Sequence, residues 1–147
     1  MELIAEIMAV LQNMQDESPE KFVEAVLKRL EGFGYTVKQE DIWLVAYCIQ
    51  KVDNRINNTC NTLTVPDGLF NVAVDRVCGE VLFSLQRSGK LELDNIDLSG
   101  AVTQIHEGDT TIQFANGSSD LEKFTVFVNY LMHEGEGEFA CYRKIKW

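Results

Sequence analysis

The chain has 147 residues, 46% of them hydrophobic and 24% charged, with only 2 prolines, a composition that fits one domain around one core. Its formal charge of −10 leaves no overall Lys/Arg surface of the kind that neutralises phosphates, so tight nucleic-acid binding is not expected. No apolar run approaches the roughly 20 residues that a membrane span needs, and Met1-Glu2-Leu3-Ile4-Ala5-Glu6 carries acid where an export signal carries base, so neither a span nor a leader is expected.

From Glu2 to Met14, Ile4, Ile7, Met8, Leu11 and Met14 fall at steps of three and four and predict an amphipathic helix. Ser18-Pro19 marks a second start, with serine as N-cap and proline at the first helical position. Phe22, Val23, Val26, Leu27 and Leu30 then form the stripe of a helix running to about Glu31. Gly32 and Gly34 follow, where a left-handed cap favours a residue without Cβ. After a brief extended link at Tyr35-Thr36-Val37, the acids of Gln39-Glu40-Asp41 suit the positive end of a helix dipole. The third helix carries Ile42, Val45, Ile49, Val52 and Ile56, widened by Trp43, Leu44, Tyr47 and Cys48. A stripe that wide predicts a central position, and the run Asn57-Asn58-Thr59-Cys60-Asn61 predicts the end of the helix.

Thr64-Val65-Pro66 repeats the start signal, and Leu69, Val72, Ala73, Val77, Val81 and Leu85 carry a fourth helix to Gln86 or Arg87 before Ser88-Gly89. Helices three and four, joined by a short polar linker, are expected to pack as an αα-hairpin. Lys90 to Gly100 reads as a partly extended connector. In Ile105-His106-Glu107-Gly108-Asp109-Thr110-Thr111-Ile112-Gln113-Phe114, β-branched and polar residues flank a Gly-Asp pair suited to a tight turn, which predicts a β-hairpin over 103–114. A hairpin alone is marginal, so it must lie on the helices or be completed by neighbouring chains. Ser119-Asp120-Leu121-Glu122 matches a capping box opening a fifth helix, with Leu121, Phe124, Phe127, Val128 and Leu131 inward and an end near His133. Glu134-Gly135-Glu136-Gly137-Glu138 reads as a flexible acidic spacer and Phe139 to Trp147 as a basic-aromatic tail.

The expected fold is mainly α: a small bundle of about five helices, with an inserted β-hairpin and an extended C-terminal tail. Residues 1–138 form one domain, within which 1–39 is an N-terminal helical extension, and 139–147 form the tail.

Little catalytic chemistry is legible. Cys48, Cys60, Cys78 and Cys141 form no CxxC pair and lie far from His106 and His133, which excludes the usual zinc spacings and leaves reduced, packed thiols as the expectation. Gly32-Phe33-Gly34 lacks the third glycine of a dinucleotide fingerprint, and Gly135-Glu136-Gly137 is acidic and follows a helix. Neither histidine belongs to HExxH or a nucleophile motif, and both read as structural or solvated. Asp94, Asp97, Glu107 and Asp109 fit no EF-hand spacing. No enzyme activity, cofactor or metal is therefore expected. In the tail, Tyr142, Ile145 and Trp147 read as apolar anchors and Arg143, Lys144 and Lys146 as their charged rim, a composition typical of protein contacts. The bland alternative, in which the bases solubilise the chain end and Trp147 covers the core, stays open.

The order of features from Asp41 to Trp147 resembles the head–tail connector, or adaptor, proteins of tailed bacteriophages. It comprises a long helix ending in an Asn-rich turn (Lys51 to Asn61), a Pro-started helix (Val65-Pro66 to Arg87), the hairpin from Ile105 to Phe114, a final helix, and the ending Tyr142-Arg143-Lys144-Ile145-Lys146-Trp147. The likeness spans about two thirds of the chain, and Met1 to Gln39 lies outside it. The resemblance implies a structural virion protein: copies form a ring, usually of twelve, joining the portal of the DNA-filled head to the tail or its stopper, with assembly in the host cytoplasm. It implies that DNA passes through without specific binding, that the hairpin residues Ile105, His106, Glu107, Gly108, Asp109, Thr110, Ile112 and Phe114 face the channel, and that Phe139, Tyr142, Arg143, Lys144, Ile145, Lys146 and Trp147 reach the portal. A net-acidic ring is compatible with sliding DNA. The competing expectation is a cytoplasmic helical regulator that binds a host or phage protein through the apolar stripe of helices one and two. A hydrolase using the acids between Asp94 and Asp109 is the least favoured reading.

Overall fold

The apolar periodicity becomes five long helices in the computed structural model, which describes residues 2–96, 98 and 119–145. They are α1 (Glu2–Asn13), α2 (Glu20–Gly32), α3 (Ile42–Cys60), α4 (Phe70–Arg87) and α5 (Asp120–His133), followed by a single turn, α6 (Phe139–Tyr142). Among the described residues there is no strand, and no helix is long and apolar enough to cross a membrane. The hairpin expected over 103–114 lies outside the described residues.

The axis of the bundle is α4, not α3. Every residue from Val72 to Gly79 is buried, together with Val81, Leu82 and Leu85, and the helix packs on α2, α3 and α5. A helix enclosed on so many sides sits in the core rather than over it. The small residues Ala73, Cys78 and Gly79 let its neighbours approach. A Cβ added at Gly79 would lie 2.8 Å from the Leu131 Cβ and 3.0 Å from the Met132 backbone nitrogen of α5. Helix α3 packs on α1 and α4 as the wide stripe requires, but Trp43 is 61% exposed and Tyr47 45%, so part of that stripe faces outward. The αα-hairpin of α3 and α4 forms as expected.

Helices α1 and α2 spend their stripes inside the same core: Ile7, Leu11, Val23, Val26 and Leu30 have no exposed surface. At the end of α2, Phe33 is buried and meets Phe127 of α5 edge to face at 5.0 Å, an arrangement that aligns ring edge with ring face. The stop uses Gly34, whose φ is +102°, while the Gly34 and Tyr35 amides donate to the carbonyls of Glu31 and Leu30, closing free carbonyls of the last turn.

Two local expectations are corrected. Ser18 does not cap α2; the cap position is Pro19, and the Ser18 hydroxyl donates instead to Asp53 of α3. The Asn57–Cys60 run is helical, and α3 ends only at Asn61, in the left-handed region with φ +60°. Cys60, four residues beyond Ile56, is fully buried, so packing of the stripe outweighs the weak helix preference of Asn and Thr. The acids of 39–41 do stand at the start of α3, in a 3-10 turn in which the buried Asp41 carboxylate accepts from the Tyr35 hydroxyl and the Lys38 amide.

The connector after α4 holds a 3-10 turn at Leu93–Asn95, with Leu91 and Ile96 buried. Helix α5 opens as its capping box implies, the Ser119 hydroxyl accepting from the Glu122 amide at 3.2 Å.

Candidate functional site

A groove of about 640 Å³ runs between α3, α4 and the end of α5. One wall is a ridge of α3 on which Trp43, Tyr47, Lys51 and Arg55 recur every four residues. Trp43 and Tyr47 stack, ring centres 5.6 Å apart and planes 13° off parallel. Tyr47, Lys51 and Arg55 then line the groove itself. The opposite wall is Arg76, Glu80 and Phe83 of α4, closed by Met132, His133 and Glu136.

Its polar centre is Arg76. This side chain is 5% exposed although it carries a full charge. Three contacts hold it. Nε donates to the Glu134 carbonyl at 2.8 Å, the guanidinium lies 4.6 Å over the Phe139 ring, and Nη2 faces the Glu136 carboxylate at 4.0 Å. That last distance exceeds hydrogen-bond reach, and Nη2 has no hydrogen-bond partner among the described residues. Burial lowers the Arg76 pKa, while Glu136 opposes the shift; a guanidinium nevertheless stays charged. Glu136 also stands 3.6 Å from Arg55, and Lys51 pairs with Glu80 at 3.0 Å. The carboxylate of Glu136 thus bridges two arginines without making a close bond to either.

Beneath the groove, Arg29 of α2 pairs with Asp75 of α4 at 2.8 Å. Glu134 reaches the same place, and its pKa is raised to about 9, first by burial and then by hydrogen bonding to Asp75. Two carboxyl groups this close share a proton more readily than they both ionise. A second such pair lies at the α1–α2 corner. Asp53, buried beside Ser18 and Asp16, has its pKa raised to about 8, chiefly by burial.

The chain end differs from the expected tail. Gly135, with φ +74°, turns the chain where a Cβ would meet Val72 at 2.7 Å. A 3-10 turn at Glu136–Glu138 and α6 follow directly, so 134–138 is not a flexible spacer. Of its acids, Glu134 is half-buried, Glu136 stands beside the buried Arg76 while itself exposed, and Glu138 is exposed. Phe139 is not a free anchor either: it is buried under Arg76 and against α3. Extended chain begins only at Arg143. The Lys144 amide donates to the Cys60 carbonyl at 2.7 Å, and Asn61 Nδ2 donates to the Lys144 carbonyl at 3.0 Å. Beyond this clasp Ile145 is 74% exposed; Tyr142, Arg143 and Lys144 are exposed as well, and Lys146 and Trp147 lie outside the described residues. So do all the hairpin residues, along with Asp97, Glu107 and Asp109 of the acidic set.

Neither Asp75 nor Arg76 figures in the sequence expectations, and Glu134 does so only as part of an acidic spacer. Their signal was the pair Asp75-Arg76 inside the apolar stripe of a helix, a position where a charge must be paired. The three thiols Cys48, Cys60 and Cys78 are buried, Cys141 is exposed, and all four are free. His133 is exposed, its Nδ1 2.9 Å from the Asn129 carbonyl. Among the described residues no group of three His, Cys, Asp or Glu side chains converges as a metal site. No family model, no curated protein and no solved structure matches the chain.

Proposed function

We propose that the chain is a structural virion protein, a head–tail connector whose copies assemble as a ring, of twelve in the usual case, between the portal of a DNA-filled phage head and the tail or its stopper. The observation that carries this reading is the chain end. Phe139 anchors it in the core, the Cys60–Lys144 clasp fixes its exit, and Arg143, Lys144 and Ile145 are exposed on an acidic body beside Tyr142, which packs against Gly68 and keeps 36% of its surface exposed. Arginine and tyrosine beside an exposed aliphatic residue are what a protein contact favours. In this reading the portal-binding segment is Tyr142 to Trp147, with Phe139 as its anchor rather than its contact, and the segment 103–114, inserted between α4 and α5, faces the ring channel. DNA passes that channel without specific binding, which the net charge of −10 supports.

The test is to mix the full chain with the portal protein of the same phage and examine the product by electron microscopy and sedimentation. Rings seated on the portal are expected, and they are lost when Tyr142, Arg143 and Ile145 are replaced together by serine. Absence of any complex with the wild-type chain overturns the reading.

A second reading, a regulator that binds a host or phage protein through an apolar helix face, is favoured by one feature, the exposed Trp43–Tyr47 stack of α3. The stripes of α1 and α2 are not available for it, since the core consumes them. A pull-down separates the cases: portal or tail proteins support the connector, and a soluble host protein held through Trp43 supports the regulator.

A further inference from the structure

We propose that the groove between α3 and α4 is a receptor slot for an acidic segment of a partner protein. A carboxylate of that segment takes the place of Glu136 between Arg55 and Arg76, and an apolar side chain about four or five residues away along the extended segment rests on the Trp43–Tyr47 stack. The slot does not rest on the head–tail assignment, because it uses no residue of the chain end beyond Phe139.

Arg76 supplies the first argument. A charged side chain that lines the groove yet is 5% exposed, with Nη2 lacking a hydrogen-bond partner among the described residues, forfeits a bond that buried donors rarely go without. The defect is not loose packing, because Nε is bonded to the Glu134 carbonyl and the plane is stacked on Phe139. The donor is therefore held ready, which lowers the ordering cost of binding.

Glu136 supplies the second. Its carboxylate sits 3.6 Å from Arg55 and 4.0 Å from Arg76, in the right place for an anion but too far for close bonds. The side chain is 54% exposed, so it can swing out and yield to a carboxylate approaching from solvent. Arginine forks bind such groups through paired N–H donors.

Charge selects the occupant. The groove is lined by Lys51, Arg55 and Arg76 and by Glu80 and Glu136, leaving one net positive charge on a chain of net charge −10. That suits a single carboxylate, whereas a polyanion meets repulsion from the rest of the surface. The exposed stack, about 12–18 Å along α3 from Arg55, calls for an apolar side chain further along the same segment.

The experiment is a selection of random twelve-residue peptides on the full chain, followed by affinity measurement with each enriched peptide and with inorganic phosphate. Enrichment of Asp or Glu with Phe, Leu or Trp about four or five residues away is expected. Arg55→Gln, at an exposed site that does not threaten folding, should weaken binding about five- to tenfold. Glu136→Gln should tighten it about threefold by removing the internal competitor, an effect a purely structural Glu136 would not give. Arg76→Met should abolish binding, with circular dichroism reporting whether the fold survives. Enriched peptides without acids, or affinity unchanged in both Arg55→Gln and Glu136→Gln, overturn the proposal. Tighter binding of phosphate than of any peptide, or self-association lost in Arg55→Gln, also overturns it by assigning the slot to a free anion or to a second copy. Portal docking through Tyr142 to Trp147 is a separate readout, so either proposal can fail alone.

Discussion

The Lys144 amide donates to the Cys60 carbonyl across 2.7 Å, joining the exit of the chain to the last turn of α3. Helix ends carry carbonyls without partners inside the helix, and here the chain's own terminus supplies one. On the other side of α6, the Tyr142 ring lies so close to the turn before α4 that a Cβ on Gly68 would overlap its hydroxyl. The terminus is thus two parts, a docked turn and an exposed strip.

Those parts should separate on truncation. Ending the chain before Arg143 removes exposed residues and one clasp, and the thermal midpoint should shift by only a few degrees. Ending it before Phe139 uncovers Arg76 and empties a core site, with an expected loss of about 3 kcal/mol, in the range for deleting a buried aromatic side chain. Urea denaturation followed by circular dichroism measures both. Equal stability of the two truncated chains would show that Phe139 contributes nothing to the core.

Stability should fall as pH rises. Glu134 and Asp53 have folded-state pKa values raised to about 9 and about 8, each chiefly by burial, against the ordinary carboxylate range when unfolded. Between those limits the folded state binds more protons than the unfolded one, so unfolding free energy declines with pH. The contribution is complete below the unfolded values and is lost as pH passes the folded ones. Asp75, Arg29 and Glu138 face Glu134, and the two acids reinforce its shift while Arg29 opposes it. Thermal midpoints measured from about pH 5 to about pH 9 should decline in the wild type. Glu134→Gln, which keeps a donor without the charge, should flatten the curve; an unchanged slope would remove Glu134 as its cause.

Most of the helical framework was legible because each stripe repeats at the helical period, from Ile4–Leu11 in α1 to Phe124–Leu131 in α5. The errors fall where tertiary contacts outvote local preference. Asn57 to Cys60 looks like a turn but stays helical because Cys60 extends the stripe of Val52 and Ile56 inward. Ser18 looks like a cap but bonds to Asp53, which only the folded corner brings near. Glu136 looks like part of a free spacer because the cations beside it, Arg55 and Arg76, stand 81 and 60 residues earlier in the chain. The groove is half legible: the ridge Trp43-Tyr47-Lys51-Arg55 is a pattern of one helix, but its opposite wall depends on how α4 and α5 pack.

Gly79 tests that packing. Alanine ordinarily favours a helix interior over glycine by about 1 kcal/mol, so Gly79→Ala would stabilise α4 on propensity alone. Here the added Cβ would lie 2.8 Å from the Leu131 Cβ and 3.0 Å from a backbone nitrogen of α5, and backbone cannot turn aside as a side-chain tip can. Overpacking of this kind costs about 1–3 kcal/mol, so a net loss is expected, larger for Gly79→Val. A rise in thermal midpoint for Gly79→Ala would mean that α4 and α5 are not in close contact.

The cysteines report on both ends of the molecule. Cys141 on α6 is exposed, whereas Cys48, Cys60 and Cys78 are buried, and burial pushes the Cys48 thiol up to about 12 and raises those of Cys60 and Cys78 as well. Since the thiolate is the reactive form, a disulfide reagent should modify one thiol quickly in the native protein and all four after denaturation. Cys141→Ser should remove the fast phase. The Cys60 thiol is bonded to the Phe139 carbonyl at 3.7 Å, so it lies directly beneath the docked turn. In Phe139→Ala, a second thiol should therefore become reactive at denaturant concentrations where the far-ultraviolet signal is still native, because α6 detaches before the bundle opens. If Cys60 instead stays protected until global unfolding, the turn is held by Tyr142 and the Lys144 clasp without help from Phe139.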